Sequence, residues 1–504
     1  MPGLACVAAR GLFAFSMFKR YVNHMLSMET ALAQCFAPHD ANLLSQVLAS
    51  EDAAHPWALS SPDVRAGLLK SLAWSLNAER TALIALADEE THLGTTRLNG
   101  EVDRTCFQLQ SLADHILSSS ALRAQDDEAI ALPPPLGRPR TTRVLVPLGP
   151  VAVFSASNFP FAFSVLGGDT ASALAAGCPV VVRAHPAHPR LSRAVFEVAQ
   201  RVILQMDLPP GLLGLVEGDS IQNGLDLVRH PVIQAVAFTG SRQGGLALQA
   251  AARTRKQPVP FFGELGSVNP VVLMPGALAG RSEALAEQLA ASVRLGMGQF
   301  CTRPSLLILA TDAHSEAFIK TLSERLTETP VHAMLTPGIA AAYQDAIMRL
   351  ASTPGVDVLV RSTHEQPAPF LARVDAETLL SNPELCEEVF GPALLVVVCP
   401  SPETMKTVMA APGGSLVHTL WGAETESPLA RCLVQASLQL AGRIVFEGVP
   451  TGVAVTGAQQ HGGPWPSSTS PSTTSVGHRA CERFMRPVAL QQAPAWVLAQ
   501  HLPS

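Results

Sequence analysis

A chain of 504 residues is too long for one ordinary hydrophobic core and calls for two or three domains. Hydrophobic residues make up 47% and charged residues only 15%, a balance that excludes a disordered chain and suits a large globular enzyme. The formal net charge of −6, with no Lys/Arg cluster, excludes the basic footprint of a nucleic-acid binder.

Residues 1–28 carry Arg10, Lys19 and Arg20 and no acidic residue, which reads either as a targeting peptide or as an over-long start with Met25 or Met28 as the true initiator; the second is the plainer reading. From about 29 to 115 the pattern is helical. The run 63–83 has apolar residues at three- and four-residue spacing behind the start signal Ser-Ser-Pro-Asp. Prolines at 133–135 close this block, and a strand-like run follows over 142–147.

The centre of the chain alternates. Strands are predicted at 151–155, 179–183, 213–217 and 235–239, with helices at 164–176, 191–206 and 224–229 between them. Such alternation builds a parallel, doubly wound sheet that binds ligands at the carboxyl ends of its strands. A second alternating block has predicted strands at 270–274, 305–310, 356–360 and 393–399, with a helix over 282–296. The fold class is therefore α/β, with two doubly wound domains. The Pro/Ser/Thr-rich stretch 462–475 reads by composition as a flexible linker, and 487–497 as an apolar arm. No apolar run reaches the ~18 residues that span a bilayer, so no membrane partner is expected.

Nine cysteines show no CxxC pair and no repeated spacing. A reducing compartment, the cytoplasm, is expected, with most thiols acting as small buried hydrophobes. Cys301 lies in Gly296-Met-Gly-Gln-Phe-Cys-Thr-Arg-Pro304, a loop opened by two glycines between a helix and a strand; a lone cysteine is more often buried and inert, and the glycines and polar residues around this one favour a reactive thiol. Glu264, in Phe262-Gly-Glu-Leu-Gly266, is flanked by glycines and apolar residues; partial burial would raise its pKa towards that of a general base, or an ion pair would hold it in a loop. Asn158, in Ser157-Asn-Phe-Pro160, is placed to donate to a developing oxyanion, or simply to make a turn. Phe238-Thr-Gly-Ser-Arg-Gln-Gly-Gly245 follows a strand with a glycine turn and a helix start, suited to a phosphate but equally to a plain turn. The carboxylate in Glu387-Glu-Val-Phe-Gly-Pro392 could accept from ribose hydroxyls or cap a solvated helix end.

Taken together and in this order, these five motifs resemble the aldehyde dehydrogenase superfamily, from about Met28 to the C-terminus. The resemblance implies a cofactor domain (29–134 and 151–262), a catalytic domain (263–477) and a bridging oligomerisation arm (135–150 and 478–504). It implies Cys301 as nucleophile, Asn158 with the Cys301 amide as oxyanion holders, and Glu264 as the base for the hydrolytic water. Gly240, Ser241 and Gly245 would lie at the cofactor phosphates, Glu388 on a ribose and Phe390 near the nicotinamide. The partners implied are a small-molecule aldehyde, NADP or NAD, and further copies of the chain in a homodimer or homotetramer.

Finer runs resemble the 2,5-dioxovalerate (α-ketoglutaric semialdehyde) dehydrogenase branch: Arg97-Leu-Asn-Gly-Glu-Val-Asp-Arg-Thr105, Arg183-Ala-His-Pro-Ala-His-Pro189, Gly448-Val-Pro-Thr-Gly452 and Gln460-His-Gly-Gly-Pro464. On that resemblance 462–475 is an ordered loop, not a linker. The implied reaction is 2,5-dioxopentanoate to 2-oxoglutarate. Long-chain fatty aldehyde dehydrogenases share much of the pattern, and a CoA-acylating or a non-catalytic role are the alternatives of other classes; retained Glu264 disfavours CoA. Arg183 and Pro186 depart from the lysine and glutamate usual near the adenosine ribose, so NADP is expected to serve at least as well as NAD. Glu447 stands where the branch has asparagine, near the aldehyde pocket region. Arg303 would contact a distal substrate carboxylate or form a loop salt bridge. No metal is expected, since His185 and His188 have no cysteine or carboxylate at ligand spacing.

Overall fold

The computed structural model describes residues 41–118, 124–133, 135–328, 332–361 and 367–499. The possible targeting segment and the last residues of the C-terminal arm lie outside this range. Among the described residues four helices come first: Ala41–Ala58, Pro62–Ala78, Arg80–Thr91 and Thr95–Ser118. The single helix predicted over 63–83 is broken at Glu79, whose φ/ψ of −98°/9° ends one helix and starts the next. Ser61 caps the first, its side chain accepting from the Val64 amide.

Fifteen strands follow: β1 (Gln125–Asp127), β2 (Thr141–Pro147), β3 (Val151–Phe154), β4 (Val180–Arg183), β5 (Leu213–Val216), β6 (Ala235–Thr239), β7 (Phe261–Glu264), β8 (Val271–Leu273), β9 (Leu306–Ala310), β10 (Asp357–Val360), β11 (Phe370–Asp375), β12 (Ala393–Cys399), β13 (Ser415–Trp421), β14 (Ala441–Phe446) and β15 (Met485–Gln491). Five form an all-parallel sheet in the order β5-β4-β3-β6-β7. The chain enters at β3, winds out through β4 and β5, and returns to β6 on the other side, which puts a topological switch point between β3 and β6. Both faces of this sheet are covered, as a parallel sheet requires. Val151, Val153 and Val180 join one core with the early helices, while Ala152, Val181 and Val236 join another on the opposite face.

The second sheet has seven strands, β10-β11-β12-β9-β8-β13-β14, parallel except where β10 meets β11. It too has two cores, Val272, Ile308 and Val397 facing one and Val271, Leu307 and Val396 the other. Two doubly wound α/β sheets are thus present, as expected. A third sheet, β1-β2-β15, joins the middle of the chain to its end through antiparallel pairs.

Strands β1, β7, β11, β13, β14 and β15 have no strand counterpart in the sequence prediction, which read 487–497 only as an apolar arm. In β13 the apolar run is interrupted by Ser415, His418 and Thr419, all wholly buried, which hides the strand from a hydrophobicity pattern. The helix predicted from 164 begins only at Gly168, because the Phe161 and Ala162 amides are taken by the Glu101 carboxylate and hold a turn ahead of it. The stretch 462–475 is an ordered loop: Ser467 is fully buried and Ser468 bridges to Glu264. Among the described residues no helix is long and apolar enough to cross a membrane.

Candidate active site

After helix Ser282–Arg294 the chain reverses through Gly296, Met297 and Gly298, all with positive φ, and delivers Cys301 to the edge of the first sheet. A Cβ on Gly298 would stand 2.4 Å from the Gly391 carbonyl, so two backbones meet here that only glycine allows. Asn269, wholly buried and at φ 53°, fixes the loop from behind. Its Nδ2 donates to the carbonyls of Cys301 (2.8 Å) and Arg303 (2.9 Å), and its Oδ1 accepts from Ser267 Oγ and the Val417 amide.

Asn158 follows β3, and its Nδ2 donates to the Gln299 carbonyl at 2.9 Å, two residues before the cysteine. The helix Thr95–Ser118 locks its loop in place. Arg97 donates to the Asn158 carbonyl and packs over the Phe159 and Phe300 rings, while Glu101 accepts from the Phe161 amide at 2.7 Å and the Ala162 amide at 3.0 Å. The branch-like run 97–105 therefore positions the Asn158 loop, a role its sequence does not announce.

Glu264 ends β7 and is buried. Its Oε2 accepts from Ser475 Oγ at 2.9 Å, and its Oε1 lies 3.1 Å from His461 Nε2. The raised pKa expected for this carboxyl is not what the site produces. Burial pushes it up, but the His461 ring and hydrogen bonds from His461, Cys301 and Ser475 outweigh burial and hold it below its ordinary value. Cys301 Sγ lies 3.7 Å from the same His461 Nε2. Burial first, then the Glu264 carboxylate and Glu388, push the thiol well above its usual pKa, with Arg104 opposing. His461 is the site residue that sequence reasoning left without a role; its only signal was the Gln460-His-Gly-Gly-Pro464 run.

A cleft of about 1320 Å³ runs from Cys301, Glu264 and Asn158 across the carboxyl ends of β3, β4 and β6. That exceeds the ~300–1,000 Å³ of a drug-sized site and suits a dinucleotide with a substrate beside it. Ser241 caps helix Arg242–Thr254, its Oγ accepting from the Gly244 amide, and residues Gly240 to Gly244 line the cleft at this positive helix end. Glu388 and Phe390 line the wall nearer Cys301. A Cβ on Gly266 would come within 2.3 Å of Glu388 Oε2, so the carboxylate rests directly on bare backbone. Burial pushes the Glu388 pKa up to about 7 against the pull of Arg303 and the Ser267 amide. An anion cradle at one end, a diol acceptor in the middle and a thiol at the other fit a nicotinamide dinucleotide.

Four expectations change. Gly245 is not on the cleft wall; it sits one step inside the helix, where a Cβ would be 2.3 Å from Leu265 Cδ2, so it serves packing and Gly244 takes its place. Arg303 is buried and donates to the carbonyls of Pro304, Val389 and Ala393 and to Ser305 Oγ, so it is neither a substrate contact nor a loop salt bridge. Arg183 lines the cleft, but its guanidinium donates to the carbonyls of Ala184, Val216 and Ser220, and Asp219, also on the cleft wall, acts on its charge. A carboxylate is thus present near Arg183 although position 186 lacks one. Glu447 is away from the cleft: at φ 60°, where asparagine is at ease, it pairs with Arg281 at 2.7 Å on the surface. His185 and His188 stack on each other, and His188 bonds to the Ala156 carbonyl and Ser192 Oγ.

The alignment of a thiol, a buried carboxylate and a strand-end amide at the head of a dinucleotide cleft is matched by comparison with known proteins. Residues 23–427 match the aldehyde dehydrogenase family, and the chain belongs to it: it is an oxidoreductase acting on aldehydes, in a family that uses NAD or NADP. The chain is 43% identical over 442 residues to α-ketoglutaric semialdehyde dehydrogenase 2 of Azospirillum brasilense, covering 87% of this chain and 84% of that protein. It is 39% identical over 432 residues to α-ketoglutaric semialdehyde dehydrogenase of Acinetobacter baylyi, covering 85% and 82%. Among solved structures, a 1-pyrroline-5-carboxylate dehydrogenase superposes with a TM-score of 0.75 at 21% identity, covering 90% of this chain and 85% of that one. Aldehyde dehydrogenase 21 of Physcomitrella patens, solved with succinate, gives 0.75 at 16% identity over 89% and 90%, which supports the fold.

Proposed function

We propose that the protein oxidises 2,5-dioxopentanoate to 2-oxoglutarate with NAD or NADP through a thioester on Cys301. The observation that carries the chemistry is the convergence of Cys301, Glu264 and Asn158 at one end of the dinucleotide cleft. The substrate follows from the two semialdehyde dehydrogenases at 43% and 39% identity. Two cations support an acidic substrate over a long alkyl aldehyde: Arg104 and Arg443 lie close enough to Cys301 to act on its charge, and Arg104 Nε is buried without a partner among the described residues.

In this mechanism Cys301 Sγ attacks the aldehyde carbon, and the new oxyanion accepts from Asn158 Nδ2 and the Cys301 amide. A nicotinamide dinucleotide held along the cleft by the turn Gly240–Gly244, with Ser241, and by Glu388 would supply the acceptor for the hydride of the tetrahedral carbon. Glu264, held below its usual pKa and so ionised at neutral pH, takes a proton from the water that opens the thioester. Retention of this base on the thiol is the ground for preferring water over CoA as acyl acceptor.

We assign 29–134 with 151–262 to the cofactor domain, 263–477 to the catalytic domain, and 135–150 with 478–504 to the oligomerisation arm. Among the described residues β15 has one open edge, which supports a homodimer or homotetramer, since an unpaired strand edge seeks a partner. Both cofactors are expected to serve: Arg183 favours a 2′-phosphate and Asp219 opposes it. Steady-state kcat/KM for 2,5-dioxopentanoate, succinic semialdehyde and a long-chain aldehyde, with each cofactor and with and without CoA, tests the proposal. Preference for the long chain, or dependence on CoA, would overturn it.

A further inference from the structure

One face of the helix Thr95–Ser118 carries Arg97, Glu101 and Arg104, spaced by four and then three residues. The first two hold the Asn158 loop; Arg104 does not. Its Nη1 donates to the Val453 carbonyl, and among the described residues neither its Nη2 nor its buried Nε has a hydrogen-bond partner. Nε and Nη2 make up the side edge of the guanidinium, a fork that matches a carboxylate with two parallel hydrogen bonds.

The surroundings of this open edge are apolar. The guanidinium lies over the Phe163 ring, 5.9 Å from Cζ to the centroid, and Phe163 clusters with Phe159, Val453, Val455 and Val476. A charged donor without a partner among such side chains is costly, and a purely structural arginine would be paired. Glu101 is the carboxylate at hand for that, and it acts on the Arg104 charge. Its Oε1 is taken by the Phe161 and Ala162 amides, however, and its Oε2 has no partner among the described residues, so the ion pair is not closed.

Arg104 also sits beside the chemistry. Phe163 packs against the His461 ring with centroids 6.4 Å apart, and His461 Nε2 lies 3.7 Å from Cys301 Sγ. The Arg104 charge acts on both Cys301 and Glu264. Arg443, the other cation near the thiol, has both terminal nitrogens engaged, Nη1 by the Gly452 carbonyl and Nη2 by that of Pro450.

We propose that Arg104 is the carboxylate anchor of the substrate site, its Nε–Nη2 edge receiving the carboxylate of a short oxo acid whose aldehyde carbon lies at Cys301. This deepens the proposed reaction and rests on its substrate being acidic. Phe159 and Phe163 then cover the carbons between the two ends. An alkyl aldehyde leaves the guanidinium unpaired against apolar side chains, so the same edge that selects the acid also disfavours the long chain.

The test is kcat/KM for 2,5-dioxopentanoate and for pentanal in the wild-type protein, Arg104→Gln and Arg104→Lys. In Arg104→Gln the value for the acid should fall about a hundredfold, mostly through KM, while that for pentanal changes by less than about threefold. Arg104→Lys keeps the charge without the fork and should lose about tenfold on the acid. Equal losses on both aldehydes would mark a structural role, and an unchanged value for the acid would remove Arg104 from the site; either overturns the proposal. A wild-type preference for pentanal refutes the proposed reaction itself, whereas a preference for the acid that survives in Arg104→Gln refutes the anchor alone. If neither variant folds, a crystal structure of the wild-type protein with 2-oxoglutarate decides. One carboxylate should lie at Cys301 and the other on the Nε–Nη2 edge of Arg104; a second carboxylate placed on any other group would overturn the proposal.

Discussion

Asn269→Ala tests how the catalytic loop is held. The side chain is wholly buried, and its loss strips partners from the Cys301 and Arg303 carbonyls and the Val417 amide. Each buried group left unpaired costs ~1–3 kcal/mol, and alanine at φ 53° adds ~1–2 kcal/mol of its own. Water entering the vacated space recovers part of this, leaving a loss of about 4 kcal/mol. The thiol should also shift relative to Asn158, and a displacement near 1 Å costs on the order of a hundredfold in rate. Asn269→Asp keeps the acceptor for Val417 but turns a second carboxylate oxygen onto the two carbonyls, so it should be no more stable and no more active than alanine. Urea unfolding and the rapid-quench hydride burst read the two effects separately. A stability loss below about 1 kcal/mol with an unchanged burst would refute the view that Asn269 fixes this loop.

Three further outcomes follow from the cleft. Glu388 has its pKa raised to about 7, so the carboxylate proposed to accept from the ribose is ionised above that pH and protonated below it; on that proposal cofactor affinity, measured by fluorescence titration, should weaken as pH falls through 7, and Glu388→Gln should flatten that dependence. Asp219→Asn should raise kcat/KM for NADP relative to NAD by about tenfold, the scale of one relieved charge contact, whereas an unchanged ratio would remove Asp219 from cofactor choice. Glu447→Asn exchanges an exposed ion pair worth ~0–1 kcal/mol for a residue at ease with positive φ, so activity should be unchanged and the thermal midpoint should stay level or rise. A fall in activity there would return Glu447 to the aldehyde pocket.

Much of this site is legible in the sequence because its parts sit at strand ends and glycine turns, which leave local signatures. Asn158 after β3, Ser241 capping a helix after β6 and Glu264 closing β7 all fall at strand ends that face the cleft. The legible part stops where function depends on contact between distant segments. His461 reaches Glu264 across 197 positions, and Asn269 reaches Cys301 across 32, and no local pattern marks either. The same limit explains Arg303, a charged residue two positions from Cys301 whose carbonyl partners at 389 and 393 come from a distant part of the chain. It also explains Glu264: local burial predicts a raised pKa, while the histidine that lowers it arrives from a loop that composition alone reads as a linker.

The most direct test of the central chemistry is intact-protein and peptide mass spectrometry of Glu264→Gln mixed with 2,5-dioxopentanoate and NADP. One equivalent of NADPH per active site should form, with a 2-oxoglutaryl thioester trapped on the Cys301 peptide. Continued turnover without an adduct, or an adduct on another cysteine, would contradict it.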